Sequence, residues 1–267
     1  MNYKYGFASK LWDIAYPVLM YYATITIGIL VAQFVFGAGN ESYMLCKIIG
    51  SIAAIPVVFA DYKRDAPFRV NYKYMQLKGV ALLKNIVAIV VITLCMSIAL
   101  NNLITMSPLV GLSEEYQNAS DAFYGGSILV ELLSAALITP YLEELLHRGV
   151  IFGRLRNMVG MWPAIILSSL IFAVLHFNIV QFVYAFIFGI ILAIFAEKSK
   201  GLYAPVIAHV VANAFAVIRT EYKLIESTVD GSPLAWAISI ALLAVGIVLL
   251  MVYIHKGFSN NAQEVGQ

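Results

Sequence analysis

Long apolar runs recur along the whole chain, and only short polar stretches separate them. Most of these runs are close to the about 20 residues that a helix needs to cross roughly 30 Å of hydrocarbon. They cover residues 11–36, 43–60, 79–103, 125–147, 162–177, 179–197, 203–221 and 233–254. The pattern predicts an all-α, polytopic membrane protein with about eight transmembrane helices, of which the fifth and sixth are short.

The composition supports a membrane protein. Of the 267 residues, 61% are hydrophobic and 12% are charged, and the mean hydropathy is +0.85. An ordinary soluble domain has about 25% charged residues. We therefore expect a single integral membrane domain over residues 1–267. The net charge of +2 gives no reason to expect a nucleic-acid partner.

Two further features narrow the class of protein. The cysteines, Cys46 and Cys95, both lie in apolar segments, so we expect neither a disulfide framework nor a cysteine-based metal site. The run 11–36 is too long for the core of a signal peptide, and we expect it to be retained as the first transmembrane helix.

The distribution of Lys and Arg predicts the orientation in the membrane, because cytoplasmic loops carry an excess of positive charge. With the N-terminus in the cytoplasm, 14 of the 17 basic residues fall on the cytoplasmic side. These are Lys4, Lys10, Lys63, Arg64, Arg69, Lys73, Lys78, Lys84, Arg148, Arg154, Arg156, Lys198, Lys200 and Lys256. The other three basic residues fall outside: Lys47, Arg219 and Lys223. The loop 104–124, which has no Lys or Arg, also falls outside. Both termini are thus predicted to be cytoplasmic.

A small group of polar side chains lies inside the apolar segments. A charge at the bilayer centre costs about 2.5–3.5 kcal/mol or more, so each such group needs a partner, a proton, a metal or a function. The group consists of Glu143, Glu144, His147, Arg148, His176, His209 and Asn213.

Helical spacing gives the residues near Glu143 different expected roles. Glu144 and Arg148 are four residues apart and share a helix face, which predicts a structural ion pair. Glu143 points about 100° away from Glu144 and is left as the unpaired acid, with a catalytic or ligand role. His147 shares the face of Glu143. It is open as a third imidazole for a metal, as a base partner, or as a peripheral packing residue.

The other polar residues are expected to meet Glu143. Glu143 and His176 each lie about 16 residues from the turn near residues 158–161, so both lie roughly 25 Å from that turn. His209 and Asn213 share one face of the seventh segment, as a polar clamp between helices or as one wall of a site. His209 is close to the start of its helix, and Arg154 follows on helix four, so we expect the site toward the cytoplasmic leaflet.

This set of residues can activate water for attack on an amide. Glu143 would act as general base, His176 would orient the water or help to hold a metal, and His209 and Asn213 would donate to the oxyanion. Glu144 and Arg148 would support them. Two other classes of function stay open: a proton- or ion-coupled transporter, against which the absence of a visible repeat counts, and a non-catalytic membrane scaffold.

Three motifs carry a resemblance to a known family. Glu143-Glu144-Leu-Leu-His-Arg148 matches Glu-Glu-x-x-x-Arg, Phe172-Ala-Val-Leu-His176 matches Phe-x-x-x-His, and His209-Val-Val-Ala-Asn213 matches His-x-x-x-Asn. Each motif alone is weak, but their order and membrane placement together are specific. The chain thus resembles the CPBP family, the CAAX-protease and bacteriocin-processing (Abi) intramembrane endopeptidases, over about residues 125–221.

The resemblance implies an eight-helix fold with a four-helix catalytic core and a site near the cytoplasmic side. It implies that Glu143 and His176 activate water and that His209 and Asn213 stabilise the oxyanion. It leaves the cofactor open between none and zinc, for which Glu143, His176 and His209 are the candidate ligands. His147 is a departure, because the family usually has an aromatic residue there.

For substrates and location, the resemblance implies a lipidated or hydrophobic peptide and a bacterial plasma membrane. Eukaryotic relatives remove the last three residues of prenylated CAAX proteins, whereas bacterial relatives are linked to bacteriocin maturation, self-immunity and peptide-signal processing. The lipid bilayer is the expected surrounding, and the sequence does not specify an oligomeric state.

Overall fold

The computed structural model describes residues 6–68, 77–123 and 127–264, and within these ranges it contains helices and no strands. The helices are α1 (Phe7–Phe36), α2 (Asn40–Arg64), α3 (Gly79–Thr105), α4 (Glu114–Phe123), α5 (128–159), α6 (Met161–Val174), α7 (Ile179–Ser199), α8 (Tyr203–Glu221) and α9 (Pro233–Glu264). Short 3₁₀ turns cover Ala66–Phe68, Val110–Leu112 and Glu226–Thr228.

The predicted fold class is confirmed. Six of these helices, α1, α2, α3, α7, α8 and α9, are each long and apolar enough to cross a membrane. The shorter apolar α6 and the continuous helical segment α5 bring the apolar helices of the described residues to eight, as the sequence pattern predicts. Lys4, Arg69 and Lys73, which support the predicted orientation, lie outside the described residues, as do the first two residues of the predicted core 125–221.

Helix α5 alternates between α-helical and π-helical turns. Its parts are Ile128–Glu131 (α), Leu132–Ile138 (π), Thr139–Glu144 (α), Leu145–Phe152 (π) and Gly153–Val159 (α). The N–H of Thr139 donates to the carbonyl of Ser134, five residues earlier. The next residue, Pro140, has no N–H to donate. The carbonyl of Ala135 is therefore available to a donor from another helix.

Helix α5 runs through the centre of the bundle, and most of the side chains in its middle are apolar. All eight residues of its second π-helical stretch, Leu145–Phe152, are buried. Leu142, Leu146 and Ile151 belong to one core cluster that includes Ala164 of α6 and Ala193 of α7. The residues that flank the motif are thus held rigidly by packing against several helices.

We call one end of the bundle the basic end. It consists of the α5–α6 turn, the C-terminal ends of α2 and α7, and the N-terminal ends of α1, α3 and α8. Ion pairs join α2, α5 and α7 there, and a hydrogen bond joins α1 to them. Arg154 donates to Asp65 with Nε at 2.6 Å and Nη2 at 3.2 Å, and it also donates to the backbone carbonyl of Asp13. Arg156 lies 3.2 Å from Glu197 of α7. Helix α5 does continue past the apolar segment as predicted, and its arginines there are partnered.

Candidate active site

The predicted ion pair between Glu144 and Arg148 is present and completely buried. Nη1 of Arg148 donates to Oε1 of Glu144 at 3.0 Å, and both side chains have 0% exposure. Arg148, one of the basic residues that the charge pattern places on the cytoplasmic side, is buried and does not lie in a loop. Its guanidinium is held inside the protein by Glu144, because an unpaired buried charge would be far more costly.

The rest of the Arg148 side chain is fixed by two further contacts. Nη2 donates to the backbone carbonyl of Gly189 at 3.0 Å, and the guanidinium lies over the ring of Phe172, 4.6 Å from its centroid. A Cβ on Gly189 would lie 3.3 Å from Nη2 and 3.2 Å from Cβ of Ser169. Glycine at this position therefore lets the guanidinium approach the helix backbone.

His209 lies between the two glutamates, a relation that sequence reasoning missed. Its Nδ1 is 2.8 Å from Oε1 of Glu144, and its Nε2 is 3.7 Å from Oε2 of Glu143. Because a carboxylate only accepts hydrogen bonds, Nδ1 is the donor to Glu144, which fixes the orientation of the ring. Glu144 thus positions His209 as well as pairing with Arg148, and Nε2 faces Glu143.

His176 lies just beyond the end of α6, on the short connection to α7. The predicted fifth helix was too long, since α6 ends at Val174 and Phe177 adopts a positive φ of 57°. Nδ1 of His176 is 2.8 Å from the carbonyl of Phe172, so Nδ1 donates and Nε2 remains as the acceptor of the neutral ring. The hydroxyl of Tyr22 in α1 donates to the carbonyl of Leu175 at 2.9 Å and holds this connection.

Asn213 clamps two helices together and also lines the site. The sequence left these two roles as alternatives. Its Nδ2 donates to the carbonyl of Ala135 at 2.8 Å, the acceptor that the π-helical turn and Pro140 leave available. The amide nitrogen carries two hydrogens. One is used in this clamp between α8 and α5, and the other remains for a ligand.

His147 is a packing residue. It is 3% exposed, and its ring meets that of Phe172 edge-on with 4.9 Å between centroids. It is not among the residues that line the cavity described below. Phe172 also touches the rings of His176 and His209, at 4.9 and 5.8 Å, so this phenylalanine orders three imidazoles.

A cavity of about 270 Å³ joins the remaining predicted residues. Glu143, His176, His209 and Asn213 all line it, so the structure brings together the four side chains proposed to be catalytic. Residues beside the loop 104–124 complete the lining; they include Lys47, Asn101, Thr105, Tyr116 and Ser120. Burial raises the pKa of the Tyr116 phenol above its usual value, so it stays protonated and able to donate.

The cavity lies at the end of the bundle opposite the basic end, and this corrects one sequence expectation. Glu143 lies near the middle of α5 and His209 lies nearly two turns into α8, and the cavity extends from them toward the loop 104–124, away from the basic end. A site in the leaflet of the basic loops, expected because His209 is close to the start of α8, does not fit this arrangement.

Whether a metal ion fits the cavity depends on how the possible ligands are arranged. Among the described residues, no group of three or more His, Cys, Asp or Glu side chains is arranged to hold one. The candidate set Glu143, His176 and His209 is therefore not arranged as a metal site among the described residues, and no step below passes through a metal.

The chain is similar to known membrane peptidases over one segment. Residues 125–215 match the family model described as type II CAAX prenyl endopeptidase Rce1-like. A putative membrane peptidase of Bacillus subtilis is 27% identical over 106 residues, which are 40% of this chain and 43% of the relative. A membrane-embedded CAAX protease of Staphylococcus aureus is 35% identical over 97 residues, which are 34% of this chain and 39% of the relative.

The matches leave most of each protein uncovered. An uncharacterized protein of Escherichia coli is 28% identical over 34% of this chain, and the chain spans about two fifths of the length of these curated relatives. No solved structure matches. The segment 125–215, over which the chain is similar to type II CAAX prenyl endopeptidase Rce1-like proteins, contains all three motifs.

Proposed function

We propose that this protein is an intramembrane endopeptidase that hydrolyses a peptide bond with a water activated by Glu143 and His176. The observation that carries the proposal is the cavity itself. A carboxylate, two imidazoles and a carboxamide, contributed by α5, α8 and the connection after α6, line one small space next to a fully buried ion pair. Polar groups inside an apolar membrane bundle cost free energy, and they therefore indicate a functional site.

The first step is the attack of water on the scissile carbonyl. The water is held between the carboxylate of Glu143 and Nε2 of His176, and Glu143 takes one of its protons as the oxygen bonds to the carbonyl carbon. The electron pair of the C=O bond moves to its oxygen. Nε2–H of His209, as the imidazolium that donates from Nδ1 to Glu144, and Nδ2–H of Asn213 donate to this oxyanion.

The second step breaks the C–N bond. The oxyanion re-forms the carbonyl, and the proton held by Glu143 passes to the departing amine. The products are one new carboxyl group and one new amine, so the proton that the water loses reaches the leaving group. No serine or cysteine nucleophile is required.

Positioning residues hold the donors in place for this reaction. Glu144, fixed by Arg148, orients the ring of His209, and the carbonyl of Ala135 orients Asn213. Such preorganised donors avoid the cost of reorientation during the reaction, and one oxyanion donor contributes about 10²–10³ in kcat.

The substrate we propose is a hydrophobic or lipidated peptide. The cavity of about 270 Å³ is near the lower end of ligand pockets, about 300–1,000 Å³, and suits a few residues of extended chain. The apolar exterior of the bundle would accept the lipid or the apolar remainder. Maturation of peptide signals or of bacteriocins, and immunity to them, are processes that such a reaction would serve.

We further propose that both termini are cytoplasmic, in a bacterial plasma membrane. The basic end then lies in the cytoplasm. The cavity, at the opposite end, would receive peptides from the extracytoplasmic face or from the outer half of the bilayer.

Thiol labelling in intact cells tests this orientation. With Cys46 and Cys95 replaced by alanine, a membrane-impermeant maleimide should label Glu115→Cys beside the cavity and spare Lys78→Cys at the basic end. The reverse labelling would refute the orientation and leave the chemistry untouched.

Peptide cleavage by the purified protein tests the activity, with a library of lipidated and unmodified peptides. The wild type and the control Glu114→Gln, an exposed acid on α4, should cut the same peptides, and Glu143→Ala should not. A transporter would instead need a polar path through both ends of the bundle. The buried Glu144–Arg148 pair and the apolar cluster of Leu145 and Leu146 lie beneath the cavity floor.

A further inference from the structure

Lys47 is one of three basic residues, with Arg219 and Lys223, that the predicted topology does not place on the cytoplasmic side. It lies in the apolar run Leu45-Cys46-Lys47-Ile48-Ile49 of α2, on the side where few basic residues are expected. A lysine within a spanning helix is expensive and marks a site for a specific partner. In the structure Lys47 is half-buried, and it lines the cavity.

The charges that line the cavity are unevenly placed. Lys47 is the one lysine or arginine among the described lining residues, and Glu143 is the one carboxylate. Glu143 faces His209 at the floor, whereas Lys47 lies about two turns from the start of α2, toward the end of the bundle opposite the basic end. Within the described residues, no carboxylate lies at ion-pair distance from Nζ of Lys47.

The surroundings of Lys47 are suited to an anionic ligand with several acceptor atoms. Asn101, Thr105, Tyr116, Ser120 and Gln181 line the same cavity, and each carries at least one donor. The protonated phenol of Tyr116 adds a donor that does not compete as an anion. An ammonium group with hydroxyl and amide donors around it is typical of carboxylate recognition.

We propose that Lys47 binds a carboxylate of the peptide substrate, and that this contact orients the chain with its carboxylate near the mouth and its scissile bond at Glu143. This inference rests on the proposed function. The chemistry is that of a carboxylate, which a peptide supplies from its C-terminus or from an Asp or Glu side chain. Lys47 is then a specificity-determining residue and takes no part in the proton transfers.

Binding to a protein that cannot hydrolyse tests the proposal separately from catalysis. Glu143→Gln protein in detergent would be mixed with a pool of short hydrophobic peptides, made in matched form as free acids and as C-terminal carboxamides. The retained peptides are then quantified. A charge-assisted contact predicts about tenfold to a hundredfold tighter binding of the acids. A second pair of pools, with Glu or Gln near an amidated end, distinguishes a side-chain carboxylate from the terminus.

Three variants in the same background sharpen the test. Lys47→Met should bind acid and amide forms alike, and Lys47→Arg should keep the preference. Lys63→Met, a matched change at the exposed, basic end of the same helix, should leave it unchanged. Equal binding of all peptide forms by protein that has Lys47, or a preference that survives in Lys47→Met, would overturn the proposal.

The two proposals can fail independently. Cleavage by the wild type without any preference for a carboxylate would refute the role of Lys47 and keep the hydrolase. An acid preference that depends on Lys47, in a protein that cuts none of the bound peptides, would keep the binding site and refute the hydrolase.

Discussion

The two charged regions of this bundle, the basic end and the cavity, differ in how completely their polar groups are paired. At the basic end, Arg154 is bound by both oxygens of Asp65, and Glu197 accepts from Arg156 and Lys200. At the cavity, Glu144 is paired just as closely, but Glu143 accepts no hydrogen bond from the described residues and lies 3.7 Å from His209.

This difference separates charges that stabilise the fold from charges that can act on a ligand. A charge that is held in a buried ion pair has little left to offer a substrate. Glu143, Nε2 of His176 and the second Nδ2 hydrogen of Asn213 keep unused hydrogen-bonding capacity and line the same space. Variants at the two regions should therefore change different measured quantities.

The largest expected effect on stability is at the basic end. Asp65→Asn removes the carboxylate that accepts two hydrogen bonds from the buried Arg154 and leaves only Asp61, at 3.8 Å, to compensate its charge, which should cost up to about 3–5 kcal/mol of unfolding free energy. Thermal unfolding in detergent measures this. The kcat of the protein that remains folded should stay within about twofold of the wild type. A large fall in kcat would show that the basic end also contributes to the reaction, which would contradict the difference between the two regions.

Asn213→Ala should act mainly on the reaction. Loss of one oxyanion donor lowers kcat by about 10²–10³. Asn102→Ala is the matched control, because Asn102 is a buried asparagine that donates to Thr228 and Ser239 away from the motifs. That control should lower the melting temperature and keep kcat; equal kcat values for the two variants would contradict the role of Asn213.

Glu144→Gln tests the positioning of His209. An amide keeps the shape of the side chain but supports neither the His209 imidazolium nor the buried Arg148, so we expect a fall of about 10–100-fold in kcat with little change in KM, together with a lower melting temperature. A change confined to KM would assign Glu144 to substrate binding instead. The variant Glu144→Asp, which restores the charge, should recover part of the loss.

His147→Phe should have the smallest effect. The residue packs against Phe172, and an aromatic ring of similar size should change stability by less than about 1.5 kcal/mol. Cleavage rates within about threefold of the wild type are expected. A tenfold loss would show that the imidazole, and not its packing, is needed.

The sequence predicted the helices well because each apolar segment follows directly from the thickness of the bilayer. It also predicted the Glu144–Arg148 pair, since that pair depends only on helical spacing. The C-terminal end of α6 was harder to predict, because the chain leaves the helix after Val174 and takes a positive φ at Phe177 that no local pattern announces.

Three-dimensional contacts between helices account for what sequence reasoning missed. The bond from Glu144 to His209 joins residues 65 positions apart, and the carbonyl of Ala135 is freed by a π-helical turn that periodicity does not reveal. Pro140 was the available signal for that turn. The prediction of a site near the basic loops was wrong, because the position of His209 along its helix does not show toward which end of the bundle the cavity extends.

The central claim is that Glu143 and His176 activate the attacking water. The most direct test is single-turnover cleavage of one peptide, measured side by side for the wild type, Glu143→Gln and His176→Ala. General acid–base catalysis contributes about 10²–10⁴, so both variants should cut at least a hundredfold more slowly while their melting temperatures stay close to that of the wild type. Cleavage by both variants at the wild-type rate would contradict the account.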